Sequence, residues 1–326
     1  MRKVILMLAL CAGLPIAVFA IDLRTAVIVL PQGASTPQRK AAQMLFEEIE
    51  KRTQLRLKRV TSLPPDGAAI VLGRPESLRT VGLPGPIAAP SKRQPEGYSL
   101  ISSKPGCRPL VVVEGNDDRG VVFGTGYLLR QLSMGRQHLE LPDGLQVSSA
   151  PATRIRGQQL GYRPKTNAYD AWSVPMWEQY IRELAIFGNN TVELIPPRSD
   201  DAADSPHFPL PQIDMMVEMS RIADEYGMDV SVWYPAMDRD YSDPKTVASA
   251  LQEWAEVFRK LPRIDAVFVP GGDPGHTEPK YLLSLLEKQT ANLHRYHPKA
   301  GMWVSPQSFS KEWTDEFYSI VDKQPD

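Results

Sequence analysis

The chain has 326 residues, of which 42% are hydrophobic and 23% are charged, with 37 lysines and arginines against 38 acidic residues. This composition is typical of a globular protein with one large or two smaller domains, and it argues against a disordered interaction tail. Thirty prolines argue against a coiled coil or an all-helical bundle. A nearly neutral chain without a basic stripe also argues against nucleic acid as a partner.

Residues 1–20 have the pattern of a secretory signal peptide. Arg2 and Lys3 precede the apolar run "VILMLALCAGLPIAVF", and "VFA" provides a cleavage site after Ala20. The alternative is a transmembrane anchor, but the apolar run is short for a bilayer span. We therefore expect a secreted or periplasmic protein without a stable membrane anchor. Cleavage would leave Cys107 as a lone cysteine, which we expect to be a small buried residue rather than a nucleophile.

Residues 21–149 predict a small α/β domain. The segment "TPQRKAAQMLFEEIEKRT" has apolar residues at helical spacing, with Thr36 as the N-cap and Pro37 as the first helical residue. A second helix is predicted in "DDRGVVFGTGYLLRQL", whose glycines permit close packing on a sheet and match no nucleotide-binding fingerprint. Strands are predicted in "TAVIVL", "LRLKRV", "AAIVLG", "GYSLISS" and "PLVVVEG".

This order of elements resembles the small α/β domain that precedes the catalytic barrel in alpha-glucuronidases and bacterial beta-hexosaminidases. The resemblance covers most of residues 22–149, and the ending "GNDDRGVVFG-x-x-x-LL" carries most of it. In that family the domain is an accessory without catalytic residues. The resemblance therefore implies a glycan-active enzyme downstream and no site in this half of the chain.

Residues 150–326 alternate between strands and helices. Five βα units are predicted, with strands in "RIRGQQLGY", "NTVELIPP", "MDVSVWYPA", "IDAVFVPGG" and "AGMWVSPQ". Alternating units make a parallel sheet with right-handed crossovers, and an order like that of glycosidase barrels predicts a TIM-type barrel. Because such a barrel has eight units, we expect an incomplete TIM-barrel-like domain that forms a closed or nearly closed ring, either in a fragment of a longer protein or in a truncated gene product. An open five-stranded sheet is the alternative.

The active site of a TIM-type barrel lies at the carboxyl ends of its strands. The residues predicted there mix aromatic rings, amides and charged groups, a set that suits sugar binding. The alternative is that loop residues are polar in any protein. The residues expected to bind substrate are Tyr162, Arg163, Trp233, Tyr234, His276 and Gln307.

Asp273 is the leading candidate for a catalytic carboxylate. It follows the apolar run "AVFV" and two glycines that let the chain approach a ligand, and Pro274 restricts it to extended geometry. The stretch resembles the end of the fourth strand in beta-hexosaminidases, where Gly-Gly-Asp-Glu carries a substrate-polarising Asp and an acid Glu. It also loosely resembles the alpha-glucuronidase strand in which an acid precedes a Pro-Gly turn. In this chain Pro274 replaces the Glu, and Asp273 as a turn-fixing side chain is the alternative.

Glycoside hydrolysis needs a second carboxylate, for which Glu193 and Asp238 are the candidates within the chain. Glu193 lies in the apolar run "VELI", where burial would raise its pKa into a useful range, although a structural salt bridge is an equal alternative. Asp273 and His276 lack a convincing third ligand, so we expect no metal and no cofactor.

We therefore expect a secreted glycoside hydrolase-like protein that acts on a uronic-acid or amino-sugar glycan by carboxylate chemistry. The alternative is a non-catalytic carbohydrate-binding protein on a degenerate glycosidase scaffold. A periplasmic structural or assembly protein is a third interpretation.

Overall fold

The computed structural model describes residues 20–83, 94–164, 169–200, 202, 204–273 and 277–323. The predicted signal peptide, apart from Ala20, and the predicted substrate ligand His276 lie outside these residues. Within them, the chain forms three β-sheets flanked by helices.

The first two sheets are built from residues up to Ser149. Six strands form a mixed sheet in the order β3-β2-β4-β6-β5-β9, in which β5 runs antiparallel to both of its neighbours, and three form an antiparallel sheet in the order β1-β8-β7. The strands are β1 Ala20–Asp22, β2 Val27–Val29, β3 Lys58–Val60, β4 Ala69–Gly73, β5 Tyr98–Ser103, β6 Leu110–Gly115, β7 Ser133–Gly135, β8 His138–Pro142 and β9 Gln146–Ser149, and the helices are α1 Thr36–Thr53, α2 Pro75–Leu78 and α3 Asp118–Gln131.

Helix α1 has the bounds that the apolar spacing predicts, but its N-cap differs from the prediction. Ser35 is the N-cap, and its side-chain oxygen accepts a hydrogen bond from the backbone N–H of Gln38 at 3.4 Å. Thr36 and Pro37 are therefore the first two residues inside the helix. Two consecutive hydroxyl side chains make either residue suitable as a cap, and the backbone path selects the first.

The third sheet is a parallel sheet of five strands in sequence order. The five predicted βα units are confirmed, but the described residues form an open sheet, and the expected closed or nearly closed ring is wrong for them. Five strands cover only part of the circumference that eight strands close. The strands are β10 Gly157–Leu160, β11 Thr191–Leu194, β12 Asp229–Trp233, β13 Ala266–Pro270 and β14 Gly301–Ser305, and the helices are α4 Val174–Ile186, α5 Gln212–Glu225, α6 Pro244–Lys260, α7 Pro279–Leu293 and α8 Lys311–Val321.

The third sheet has two chemically different faces, because side chains alternate along each strand. On the helix-covered face the side chains are apolar and buried, and they are Leu160, Val192, Leu194, Val230, Val232, Val267 and Val269. On the opposite face, which we call the open face, the side chains are half-buried or exposed, and they are Gln159, Glu193, Ser231, Trp233, Ala266, Phe268 and Trp303. The cross-strand register aligns the open-face residues into rows.

The glycines of α3 pack as the sequence predicts. A side chain at Gly124 would meet Val113 of β6 at 2.6 Å, so this glycine allows the helix to lie on the first sheet. A side chain at Gly126 would meet the backbone of Ile186 at 2.7 Å, so the same helix also packs closely against α4. One apolar core therefore runs from the first sheet to the third.

Buried ion pairs also join the two halves of the chain. The carboxylate of Glu96 accepts hydrogen bonds from Arg119 at 2.9 Å, from Arg156 at 2.6 Å and from Asn190 at 2.9 Å. Burial would raise the pKa of Glu96, but these donors outweigh it and lower the pKa. Arg119 also pairs with Asp229 at the amino end of β12. We call this cluster of five residues the junction network.

Cys107 is exposed rather than buried, which corrects the sequence expectation. It ends a short 3-10 helix, Pro105–Cys107, in a left-handed backbone conformation with φ 69°. A turn at the surface therefore overrides the tendency of a free cysteine to be buried. No helix in the described ranges combines the length and the apolar character needed to cross a bilayer.

Candidate functional site

The loop that carries Asp273 is fixed to the neighbouring strand. Beyond the last ladder pair of β13 and β14, the N–H of Gly271 donates to the carbonyl of Ser305 at 2.9 Å. The N–H of Gly272 then donates to the carbonyl of Gln307 at 2.8 Å. The ladder thus continues past both strand ends, and Asp273 is presented at the carboxyl rim of the sheet, which is where the sequence analysis places it.

Two side chains support this loop. Gln307 donates from Nε2 to Oδ2 of Asp273 at 2.7 Å. The ring of Phe309 covers both glycines, since a side chain at Gly271 would meet it at 2.8 Å and one at Gly272 at 2.9 Å. The two glycines are therefore required by close packing. Gln307, predicted as a substrate ligand, contacts the candidate catalytic carboxylate directly.

Asp238 belongs to a second cluster on the rim. Arg198, in the loop after β11, donates to Asp238 at 2.6 Å and to Glu253 of α6 at 2.8 Å. The hydrogen bond with Asp238, together with Glu253, raises the pKa of Arg198. Tyr241 accepts a hydrogen bond from the backbone N–H of Asp238 at 3.0 Å. The cluster ties the loops after β11 and β12 together.

Asp238 and Asp273 follow neighbouring strands of the third sheet. Trp233 and Phe268 are partners in the register of β12 and β13, and each aspartate follows its partner by five residues. Neighbouring strands lie about 4.8 Å apart. Asp238 therefore lies in the loop that follows the strand next to β13, which makes it the candidate carboxylate nearest to Asp273 in the order of the sheet.

Glu193 lies deeper in the sheet. The register aligns it through Ser231 with Ala266, which is four residues before Pro270. At about 3.3 Å per residue, Glu193 is on the order of 13 Å below the end of β13. Paired carboxylates in glycosidases are about 5–9.5 Å apart. The register therefore argues against Glu193 as the catalytic partner of Asp273.

The surroundings of Glu193 also differ from the expectation. Strand alternation directs Val192 and Leu194 to the helices and places Glu193 on the open face. Its carboxylate accepts hydrogen bonds from Gln159 at 2.9 Å and from Ser231 at 3.4 Å. The apolar residues next to Glu193 in the sequence therefore lie on the helix-covered face, whereas the carboxylate of Glu193 has polar neighbours on the open face.

Two tyrosines predicted to bind sugar lie in the protein interior. Tyr234 is 1% exposed and stacks on Trp254 with ring centroids 3.9 Å apart, and its burial raises its pKa. Tyr162 is 5% exposed, donates to the carbonyl of Leu210 at 2.8 Å and packs against Phe208. Neither ring has a free face for a ligand, which corrects the expectation that they bind sugar.

The remaining predicted ligands lie on the rim or on the open face. Arg163 pairs with Asp200 at 3.6 Å, which links the loops after β10 and β11. Trp233 is half-buried and belongs to the open face.

A cavity of about 1050 Å³ lies over the open face and reaches the amino ends of β10, β11, β12 and β13. Its wall includes Gln159 and Glu193 from the middle of the sheet and the rings of Phe268 and Trp303. Glu96 of the junction network is also part of the lining. The cavity therefore combines aromatic, amide and carboxylate groups.

Phe268 and Phe309 are parts of the site that were not predicted from the sequence. Phe268 belongs to the apolar run "AVFV", whereas its pairing with Trp233 and Trp303 places it on the open face. Phe268 is the third residue of β13, and side chains alternate between the two faces of a strand, so it points away from the face of Val267 and Val269. This alternation was the available signal in the sequence. Phe309 lies in a loop after β14, and only the three-dimensional contact with the glycines reveals its role.

In the part of the chain that the structure describes, no group of three or more His, Cys, Asp or Glu side chains is arranged to hold a metal ion.

Comparison with known proteins supports a glycoside hydrolase-like fold. No protein-family profile and no curated protein matches the sequence. Among solved structures, the chain is similar to a GH115 4-O-methyl-alpha-glucuronidase that is specific for decorated arabinogalactans. The two chains share 14% identity, the TM-score is 0.64, and the similar part covers 92% of this chain and 44% of the glucuronidase. It is also similar to the GH20 beta-N-acetylhexosaminidase of Streptomyces coelicolor A3(2), with 14% identity and a TM-score of 0.63 over 93% and 70% of the two chains. The beta-hexosaminidase of Streptomyces plicatus gives 12% identity and a TM-score of 0.61 over 93% and 69%.

The chain thus spans less than half of the glucuronidase and about 70% of the hexosaminidases. At this level of identity the likeness concerns the fold. The small α/β domain and the parallel βα units are both included in the similar part, since it covers more than nine tenths of this chain.

Proposed function

We propose that the protein binds a glycan at the carboxyl rim of the third sheet and acts on it as a glycoside hydrolase, with Asp273 as the central carboxylate. The observation that carries the proposal is the fixed position of Asp273 on the rim, held by the extended β13–β14 ladder and by Gln307. A preorganised carboxylate at this end of a parallel βα array can act on a sugar as a general acid, a general base or a nucleophile.

Asp238 is the second carboxylate of the proposal. It lies in the loop after the strand next to β13, and its partner Arg198 is a planar cation. Guanidinium groups bind carboxylates through two parallel hydrogen bonds, so the rim arginines suit a uronic acid, while the hexosaminidase-like fold suits an amino sugar. We propose one of these two sugar classes as the substrate.

The proposal includes export from the cytoplasm, because residues 1–20 have the pattern of a cleavable signal peptide. Intact-mass measurement of the protein purified from a secreting host tests this directly. A mature protein that begins at Ile21 is expected, and a retained N-terminus in the membrane fraction would contradict it.

The test of the activity is hydrolysis of nitrophenyl glycosides, including an N-acetyl-β-glucosaminide and an α-glucuronide. The wild-type protein is expected to hydrolyse one of them, and Asp273→Asn is expected to lower kcat by about 10²–10⁴, the usual contribution of a positioned acid or base. Asp315→Asn is the matched control, because Asp315 is an exposed carboxylate on α8 that pairs only with Lys311 in the described contacts. Equal activity in wild type and Asp273→Asn would overturn the catalytic assignment.

A second candidate function is glycan binding without hydrolysis. Pro274 stands where the similar hexosaminidase motif has its acid, and the register places Glu193 too deep to replace it. Binding of a glycan with no turnover by wild-type protein would favour this function over the first.

A further inference from the structure

Three aromatic residues form a row across the open face. Trp233 on β12, Phe268 on β13 and Trp303 on β14 are direct partners in the register of adjacent strands. Because Phe268 and Trp303 lie two residues before Pro270 and Ser305, the row is about 7 Å below the strand ends. It therefore lies beneath the rim that carries Asp273.

Trp303 packs one edge of its indole against Gly301. Its indole Nε1 is 2.9 Å from the position that a Cβ would occupy at Gly301, two residues earlier on the same strand. The residue is nevertheless 58% exposed. The indole is thus positioned by its contact with a glycine and leaves ring surface open to the cavity.

Polar side chains form the next row below the rings. Gln159, Glu193 and Ser231 are partners on β10, β11 and β12, and Glu193 accepts from both of the others. Gln159 is exposed, and both Gln159 and Glu193 line the cavity. The open face thus places hydrogen-bonding groups beside an exposed aromatic surface.

We propose that the open face is a saccharide-binding subsite in which a sugar ring stacks on Trp303 and Phe268 and its hydroxyls bond to Glu193 and Gln159. Small-molecule sites combine apolar and aromatic walls with a few placed polar groups, and the ring row and the polar row supply both. This inference rests on the proposed function and gives Glu193 a binding role in place of the catalytic one.

A polypeptide is the competing occupant. Parallel sheets are usually covered on both faces, and β14 is an edge strand of the described sheet. The polar row favours a saccharide, because Gln159 and Glu193 offer hydrogen bonds that an apolar packing surface does not need. A second polypeptide that covers the open face is therefore the result that would contradict the saccharide proposal.

The experiment is calorimetric titration of the full chain with two probes, chitotetraose and an aldotetraouronic acid from glucuronoxylan. Wild type is expected to bind one probe, and Trp303→Ala is expected to bind it about tenfold more weakly through the loss of one aromatic contact. Gly301→Ala keeps the indole but lifts it from the sheet, so a similar loss is expected. Trp303→Phe retains a ring and is expected to recover part of the affinity. Phe187→Ala is the control, because Phe187 is 69% exposed and lies after α4, away from the sheet face.

The outcomes separate the two proposals. Binding of neither probe by wild type would overturn the proposed function and this inference with it. A second outcome would overturn this inference alone. In it, Asp273→Asn changes the affinity for the probe, but Trp303→Ala and Gly301→Ala bind the probe with the same affinity as Phe187→Ala. Light scattering that shows a wild-type oligomer and a Trp303→Ala monomer would assign the face to a polypeptide and would also overturn it.

Discussion

The two faces of the third sheet are built from the same strands, but they differ in the burial and the polarity of their side chains. Leu194 and Val232 on the helix-covered face are fully buried, whereas their neighbours Glu193 and Trp233 on the open face are only half-buried. Because adjacent residues of a strand point to opposite faces, one residue step separates a core position from a candidate ligand position. The face, rather than the residue type or the strand, separates core positions from candidate ligand positions in this sheet.

The largest expected effect comes from the buried face. Leu194→Ala is expected to lower the free energy of unfolding by about 2–5 kcal/mol, because it removes a fully buried side chain and leaves a cavity. Glu193→Ala, one position earlier, is expected to stay within about 0.5 kcal/mol. Urea unfolding of both variants measures the contrast. Equal losses would show that the open face is as tightly packed as the other.

A buried polar cluster should behave like the buried face. Glu96→Gln is expected to destabilise the fold by about 1–3 kcal/mol, because Arg119 and Arg156 lose a charged partner in the junction network. Asp22→Asn is the control, since the Asp22–Arg24 pair is exposed and worth about 0–1 kcal/mol. Thermal unfolding of the two variants compares them, and a loss for Asp22→Asn as large as that for Glu96→Gln would contradict the role of the junction network.

Glu96 of the junction network and two glutamates outside it, Glu47 and Glu225, predict acid sensitivity. Burial would raise the pKa of each, but the side chains that donate hydrogen bonds to these carboxylates and the nearby cations lower it below the ordinary value of 4.5. A lowered pKa contributes stability that is present above about pH 4.5 and is lost as the pH falls through the folded value. Unfolding measured from pH 7 to pH 3 should therefore show declining stability below about pH 4.5. A smaller acid loss in Glu96→Gln is expected, and an unchanged profile in that variant would exclude Glu96 as a cause.

The smallest expected effect concerns a tyrosine beside an open-face residue. Tyr234→Phe is expected to change stability by about 0.5–1.5 kcal/mol and to leave glycan affinity unchanged, because its ring is buried on Trp254 and its hydroxyl bonds only weakly, at 3.5 Å, to Glu253. Trp233→Phe, on the open face, is the comparison. A loss of glycan binding in Tyr234→Phe alone would reverse the assignment of the two faces.

Much of the architecture follows from local pattern. Apolar spacing predicts α1 at its observed bounds, and the alternation of strands and helices predicts the five parallel βα units. The strands β1, β7, β8 and β9 are not among the predicted elements. Pairing of β1 with β8 joins residues more than a hundred positions apart, so it depends on tertiary contacts rather than on local propensity.

The candidate site was predictable in position more than in detail. Asp273 was identified because a stiff turn follows an apolar strand, and the structure holds that turn on the rim. Trp233 and Tyr234 are adjacent in the sequence, and both are aromatic residues that could bind a sugar. Only the strand register shows which of the two rings faces the helices. For Glu193, the apolar neighbours suggested burial although they lie on the other face.

The most direct test of the account is the crystal structure of the protein with bound chitotetraose or aldotetraouronic acid. The proposed function and the proposed subsite together predict a sugar on the open face, with one ring stacked on Trp303. A sugar bound away from this face, or an open face covered by another polypeptide while the glycan binds elsewhere, would contradict it.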